Sequence, residues 1–126
     1  MRLLNVNTFK FEEFEGKKIP RYAIASHRWC ADEATYVDVL ENKNTQTEGF
    51  KKIQGFCAFT KSRNSYEGRR RDGPFTGLKY IWIDTCCIDR RNSAEISENI
   101  TSMYRYYERA AVSERNWVQS PQRTAC

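Results

Sequence analysis

The first fourteen residues show the pattern of two short strands. Residues 2–6 are mainly apolar, and in residues 8–14 Phe9 and Phe11 alternate with charged neighbours. Alternation with a period of two is typical of a strand that is buried on one face. We therefore expect the chain to begin with a strand pair.

Two later runs differ, because their apolar residues are consecutive. Residues 22–26 form a run without charge, and residues 80–83 form the most apolar strand candidate in the chain. Such runs are typical of strands covered on both faces, as in a parallel sheet. We predict that both runs belong to one parallel sheet.

Helical spacing predicts two helices between these runs. Thr35 is a suitable N-cap for a short helix that ends near Leu40. From Gly49 onward, apolar residues recur at helical spacing. They are Phe50, Ile53, Phe56 and Cys57. Breakers then predict a long polar loop over residues 61–77.

A third helix is predicted after the second buried run. Asn92 or Ser93 caps it, and with Asn92 as the cap, Glu95 occupies the acid position of a capping box. The predicted apolar face consists of Ile96, Ile100, Met103, Tyr107 and Ala111. A charge at Ile100 is expected to unfold the protein, because it would be buried without a partner.

The order of these elements predicts an α/β fold. A strand pair is followed by strand, helices, strand and helix, which is typical of a parallel sheet with flanking helices. After Val112 the periodicity ends and no further strand is visible. We therefore divide the chain into a domain over residues 1–112 and an unstructured tail over residues 113–126.

Composition and charge narrow the function classes. The chain has 126 residues, 40% of them hydrophobic and 29% charged, which suits one globular domain. It has no apolar run of membrane-helix length and no signal-peptide core, so we expect a cytoplasmic protein without a membrane partner. The net charge is +5, but the three arginines at 69–71 lie among loop-forming residues. We expect a solvated loop there and no nucleic-acid interface.

Polar side chains follow both buried runs. Open parallel sheets bind ligands beyond the carboxyl ends of their strands, where these side chains would line one crevice. The candidate ligand-binding residues are Ser26, His27, Trp29, Asp84, Cys86 and Asp89. A purely structural interpretation also fits. Trp29 and Trp82 would then pack in the core, and His27 would be a hydrogen-bonded polar residue. Asp84 and Asp89 would cap turns.

Cysteine and histidine allow a further, enzymatic interpretation. Cys86 or Cys87 would be a nucleophile activated by His27, which requires a neighbouring cation or a helix N-terminus to lower the thiol pKa. A metal site is not expected. Cys86 and Cys87 are adjacent rather than spaced by two residues as zinc sites favour, and His27 is the single histidine.

Together these segments resemble the fungal heterokaryon incompatibility (HET) domain. The similarity is carried by residues 1–5, by residues 22–27 with Trp29, by the middle helix, and most strongly by residues 80–89 with the helix that follows. It covers most of residues 1–112.

The resemblance implies a role in fungal self/non-self recognition, in which proteins with this domain trigger cell death when incompatible cells fuse. The partners would be other proteins of the incompatibility response. The HET domain is also thought to be distantly similar to TIR domains, which have a flavodoxin-like sheet and in some cases cleave NAD with a glutamate on a later helix. The fold implied is an incomplete TIR-like parallel sheet with flanking helices and an N-terminal strand pair.

Three departures from the family pattern bear on function. Cys30 stands where the family usually has a glycine, which matters if the loop needs a positive φ. The stretch 61–77 looks longer than the family's usual connection. Beyond Val112 the expected strand and glutamate-bearing helix are missing, and Glu114 and Trp117 are superficial matches.

The sequence leaves three functions open. The leading hypothesis is a signalling module that works through protein–protein contacts and needs no cofactor. The second is a TIR-like NAD hydrolase, which would act on NAD but lacks a named acid or base. The third is a truncated fragment without independent activity, because a half-built sheet buries little apolar surface.

Overall fold

A computed structural model of the chain describes residues 1–67 and 73–113. Five strands and three α-helices occur there, with a short 3₁₀ turn at Gly16–Lys18. In chain order they are β1 (Arg2–Asn5), β2 (Phe11–Glu13), β3 (Ala23–Ala25), α1 (Tyr36–Glu41), α2 (Glu48–Glu67), β4 (Tyr80–Ile83), α3 (Ser93–Arg109) and β5 (Val112–Ser113). The prediction of an α/β fold is confirmed.

All five strands form one mixed sheet in the order β2-β1-β4-β3-β5. β3 is parallel to both β4 and β5, whereas β1 is antiparallel to both β2 and β4. The N-terminal strand pair therefore extends the parallel sheet on one side. Since crossovers between parallel strands are right-handed, α2 and α3 cover opposite faces of the sheet. The three residues of β3 are accordingly buried completely.

The short strand β5 was not visible in the sequence. Its two residues pair with β3, and the Ala111 N–H donates to the Tyr22 carbonyl at 2.9 Å. A strand of two residues shows no periodicity, so the pattern could not reveal it. Ser113, the first residue of the predicted tail, belongs to β5. Residues 114–126 lie outside the described residues, and the predicted boundary at residue 112 stays a prediction.

The predicted helix starts are confirmed, but one helix is longer than expected. Thr35 caps α1 and forms a capping box with Asp38. α2 continues to Glu67, so the first part of the predicted loop is helical. The last turns of α2 are polar and carry no apolar stripe, which is why the pattern there resembled a loop.

The buried face of α3 differs from the prediction. Ile100 is 60% exposed, whereas Asn99 is buried and donates to the Glu95 carbonyl at 2.8 Å. Ile96, Met103, Tyr107 and Ala111 do pack against the core. The step of four residues from Ile96 to Ile100 advances 400° instead of 360°, which turns Ile100 away from the side on which Asn99 lies. The placement of Ile100 on that face is therefore wrong.

The N-terminus of α3 is capped differently from the prediction as well. The Asn92 side chain accepts from the N–H groups of Ala94 and Glu95, as expected of the cap. Glu95 does not complete a capping box; its carboxylate accepts from the Asp89 N–H at 2.9 Å and pairs with Arg2.

α2 begins in close contact with the loop that precedes α1. A Cβ at Gly49 would lie within 2.6 Å of backbone atoms of Asp32, Glu33 and Ala34. Only glycine allows this approach, which fixes the loop carrying Glu33 against the helix that carries Lys52. Among the described helices, none has the length and hydrophobicity needed to cross a bilayer.

Candidate functional site

The ends of β3 and β4 bring three of the predicted residues into contact. His27 Nε2 lies 3.0 Å from Asp84 Oδ1, and the Trp29 indole N–H donates to Asp84 Oδ2 at 2.9 Å. His27 is 1% exposed and also packs edge-on against Phe56 of α2. The crevice residues after the two strands therefore share one hydrogen-bonded cluster centred on Asp84.

Lys52 of α2 links this cluster to a second carboxylate. Its ammonium contacts His27 Nδ1 at 3.1 Å, the Arg28 carbonyl at 2.9 Å and Glu33 Oε1 at 2.5 Å. An ammonium has three donors and no acceptor, so His27 Nδ1 accepts and the ring proton sits on Nε2, facing Asp84.

Glu33 ends the chain of hydrogen bonds that begins at Asp84. Its Oε1 also accepts from the Cys30 N–H at 2.6 Å, and the side chain is 10% exposed. Its Oε2 is buried without a hydrogen-bond partner among the described residues. Cys30 does not have a positive φ, so a side chain at this position causes no left-handed strain.

Arg90 completes the cluster at the surface. Its guanidinium lies 4.5 Å from the centre of the Trp29 ring and donates to the Asp84 carbonyl at 3.1 Å. Trp29 remains 47% exposed, in contrast to Trp82, which is buried completely. The structural interpretation placed both tryptophans in the core. It is wrong for Trp29 and holds for Trp82.

The surroundings of Asp84 favour its charged form. Burial is the largest single influence and raises the pKa of this carboxyl, but it is outweighed by several smaller effects together, of which the hydrogen bond from His27 is the largest. Trp29 and the Arg90 charge act in the same direction, and the net result is a pKa below the ordinary value of 3.8. Asp84 is an ionised anchor for its neighbours at neutral pH.

The other three predicted residues lie apart from this cluster. Ser26 is half-buried, and the Asp89 carboxylate is held by Arg91 at 2.9 Å. Cys86 has no exposed surface. Whether any of the six residues binds a ligand stays a prediction.

The geometry does not support a cysteine–histidine pair. Both ring nitrogens of His27 contact other residues. Burial raises the pKa of Cys86, and the neighbouring Cys87 raises it further. The Cys87 sulfur lies in the core, where it accepts from the Ile83 N–H at 3.3 Å. A buried thiol that keeps its proton is the opposite of an activated nucleophile.

Three members of the cluster were not predicted from the sequence. They are Lys52, Glu33 and Arg90, none of which the sequence pattern marks as a site residue. Lys52 lies on the edge of an apolar stripe that packs on the sheet, next to Ile53, which was the available signal. The loop position of Glu33 is set by the close approach at Gly49, which no pattern encodes.

A separate polar cavity of about 280 Å³ lies between the β1–β2 pair and α3. Arg2 crosses it, pairing with Glu13 at 2.8 Å and with Glu95. None of the six predicted residues lines this cavity. Among the described residues, no group of histidine, cysteine and carboxylate side chains could hold a metal ion.

Comparisons with known proteins give the family. The model of the family described as "Heterokaryon incompatibility protein (HET)" matches residues 22–124. The vegetative incompatibility protein HET-E-1 of Podospora anserina is 42% identical over 96 residues, which cover 75% of this chain. The chain spans only 6% of the length of that relative. No solved structure matches this chain.

The family match includes both strand ends that build the cluster and α2, which supplies Lys52. It begins at Tyr22, after the β1–β2 pair, and it extends into residues that the structure does not describe. On the extent of this match and the identity to the Podospora relative, the chain belongs to the heterokaryon incompatibility (HET) family.

Proposed function

We propose that the chain is a signalling module of fungal self/non-self recognition, which promotes cell death through contacts with other proteins of the incompatibility response in the cytoplasm. The observation that carries the proposal is the 42% identity to a vegetative incompatibility protein over 75% of the chain.

The arrangement of the cluster supports a binding module more than a catalyst. Both Asp84 oxygens, both His27 nitrogens and all three Lys52 donors have partners within the protein. Polar groups whose hydrogen bonds are all made within the protein keep the surrounding surface rigid. The exposed indole of Trp29 is the part left to meet another molecule.

The test is inducible expression of the chain in Podospora anserina, with colony growth and a vital dye as readouts. The wild-type chain is expected to arrest growth and kill cells. A matched control is Ile53→Asp, which places an unpaired charge in the core and abolishes folding. Normal growth with the wild-type chain, at expression levels shown by immunoblot, would contradict the proposal.

NAD hydrolysis remains the second candidate function. The observation in its favour is that ionisable groups meet beyond the carboxyl ends of two parallel strands, where open sheets bind ligands. If the chain cleaves NAD, Asp84→Asn and Trp29→Ala should abolish turnover while each variant still unfolds cooperatively. An absence of NAD turnover by the folded wild-type chain would eliminate this candidate.

A further inference from the structure

Trp29 is exposed and yet held in one orientation. Its indole N–H is bonded to Asp84, and Arg90 stacks on the ring while bonded to the backbone of the same residue. A side chain that is already ordered loses little entropy when a partner covers it. Tryptophan and arginine are also the residue types that most often dominate the binding energy of protein interfaces.

Around Trp29, the acidic side chains are mostly buried and the arginines are exposed. The carboxylates lie below the surface, with Asp84 21% and Glu33 10% exposed, and each is paired with a basic group of the protein. Arg28 and Arg90 are exposed. Within residues 1–67 and 73–113, neither of these arginines forms an ion pair. The exposed charged residues that flank Trp29 are thus both positive, Arg28 as its neighbour in the chain and Arg90 stacked on its ring.

We propose that Arg28, Trp29 and Arg90 form a docking surface for an acidic segment of a partner protein. Carboxylates of that segment pair with the two arginines, and an apolar side chain packs on the exposed part of the Trp29 ring. Complementary charge steers such a partner and fixes its orientation. Two arginines are too few to track a nucleic-acid backbone, which requires a row of phosphate contacts. The inference rests on the proposed function, since it names the chemistry of the module's partner.

Fluorescence anisotropy tests the surface directly. The probe is a short fluorescein-labelled peptide in which glutamate alternates with leucine and phenylalanine. A peptide with lysine in place of glutamate and a labelled oligothymidylate serve as comparisons. The wild-type chain is expected to bind the acidic peptide only, and the affinity should fall as salt is raised.

Variants identify the residues responsible. Trp29→Ala and Arg90→Ala are each expected to weaken binding about tenfold or more, as interface hot spots do. The matched controls are Tyr104→Ala and Arg105→Ala on α3, which remove an exposed aromatic and an exposed arginine elsewhere. Arg28→Glu provides a variant whose altered side chain makes no hydrogen bond or ion pair among the described residues, so folding is retained and binding should be lost.

Several outcomes would overturn the docking surface. They are no binding of the acidic peptide, unchanged binding by Arg28→Glu, or binding of oligothymidylate in place of the peptide. Expression in Podospora separates the two proposals. If the wild-type chain and Arg28→Glu arrest growth equally, the docking surface is wrong and the signalling function stands. If the wild-type chain binds the peptide but does not arrest growth, the signalling function is wrong.

Discussion

Lys52 is the residue on which the charge balance of the cluster depends. It is 15% exposed and bonds to Glu33, which is 10% exposed. Lys52→Met leaves that carboxylate buried without a cation, and we expect the free energy of unfolding to fall by about 3–5 kcal/mol. Denaturant unfolding measures the change.

The preceding residue provides a matched control for this variant. Lys51 is 51% exposed and lies 3.9 Å from Glu48. Lys51→Met should change the free energy of unfolding by less than about 0.5 kcal/mol. Adding Glu33→Gln to Lys52→Met should restore part of the loss, because the unpaired charge is removed. Equal effects of the two lysine variants would show that the Lys52–Glu33 pair does not stabilise the fold.

Asp84 should make stability depend on acid pH. Its pKa in the folded protein lies below the ordinary value of 3.8, so its contribution is complete above pH 3.8 and is lost as the pH falls through the lower folded value. Asp84→Asn is expected to lower the free energy of unfolding by about 1–3 kcal/mol at neutral pH. Asparagine has one acceptor oxygen, whereas His27 and Trp29 each bind a separate oxygen of Asp84. Denaturant unfolding as a function of pH should show the two proteins converging below pH 3.8. A stability difference between the two proteins that stays constant as the pH falls well below 3.8 would rule out the role assigned to Asp84.

The cluster residues that directly follow the strand ends could be predicted from the sequence. The residues that tertiary packing brings to the cluster could not. His27, Trp29 and Asp84 could be predicted to meet because the carboxyl ends of parallel strands share one edge of the sheet. Glu33 and Arg90 lie in loops whose paths depend on packing, and a lysine on a helix is ordinarily a surface residue. No local pattern distinguishes these residues from their neighbours.

The start of α2 should tolerate no side chain larger than hydrogen at Gly49. Gly49→Ala places a methyl group against backbone atoms, which cannot move aside by changing rotamer as a side chain can. The helix or the loop must therefore shift. We expect a loss of about 1–3 kcal/mol in thermal or denaturant unfolding, as for overpacked cores. Gln54→Ala, an exposed change on the same helix, serves as the control. A Gly49→Ala protein as stable as the control would mean that the two segments pack less closely than described.

Because Ile100 of α3 is exposed, a charge there should not unfold the protein as the sequence pattern predicted. Ile100→Asp should lower the free energy of unfolding by less than about 1 kcal/mol, because the new charge stays in water. Met103→Asp, on the half-buried face that packs against the core, should be far more damaging. Chemical unfolding of both variants measures the contrast. Similar losses would place Ile100 back on the buried face.

Capping residues were the most reliable local signals for the elements. Thr35 and Asn92 begin α1 and α3 as predicted, since their side chains bind backbone N–H groups that would otherwise lack partners. Ends without such chemistry were not predictable. α2 ends in polar turns, and β5 depends on the neighbouring β3 for its hydrogen bonds.

At the scale of the whole molecule, the described residues should unfold as one unit. The core joins residues from β1, β3, β4 and α2, so no element keeps its contacts when the sheet separates. We expect tryptophan fluorescence and circular dichroism to report one coincident thermal transition of the purified chain. A featureless drift in both signals would favour the hypothesis of a fragment without independent activity. The functional proposals would then apply to longer members of the family.

The strand order has a consequence for how the protein is made. β3 lies between β4 and β5, both of which follow it in the chain, and the His27–Asp84 contact spans 57 residues. During synthesis, β3 leaves the ribosome with both of its edges unpaired and waits until residues 80–83 emerge. Contacts of such long sequence separation form slowly, because a long loop must close first. The apolar run at residues 22–25 is therefore open to non-native pairing for as long as the intervening chain takes to emerge.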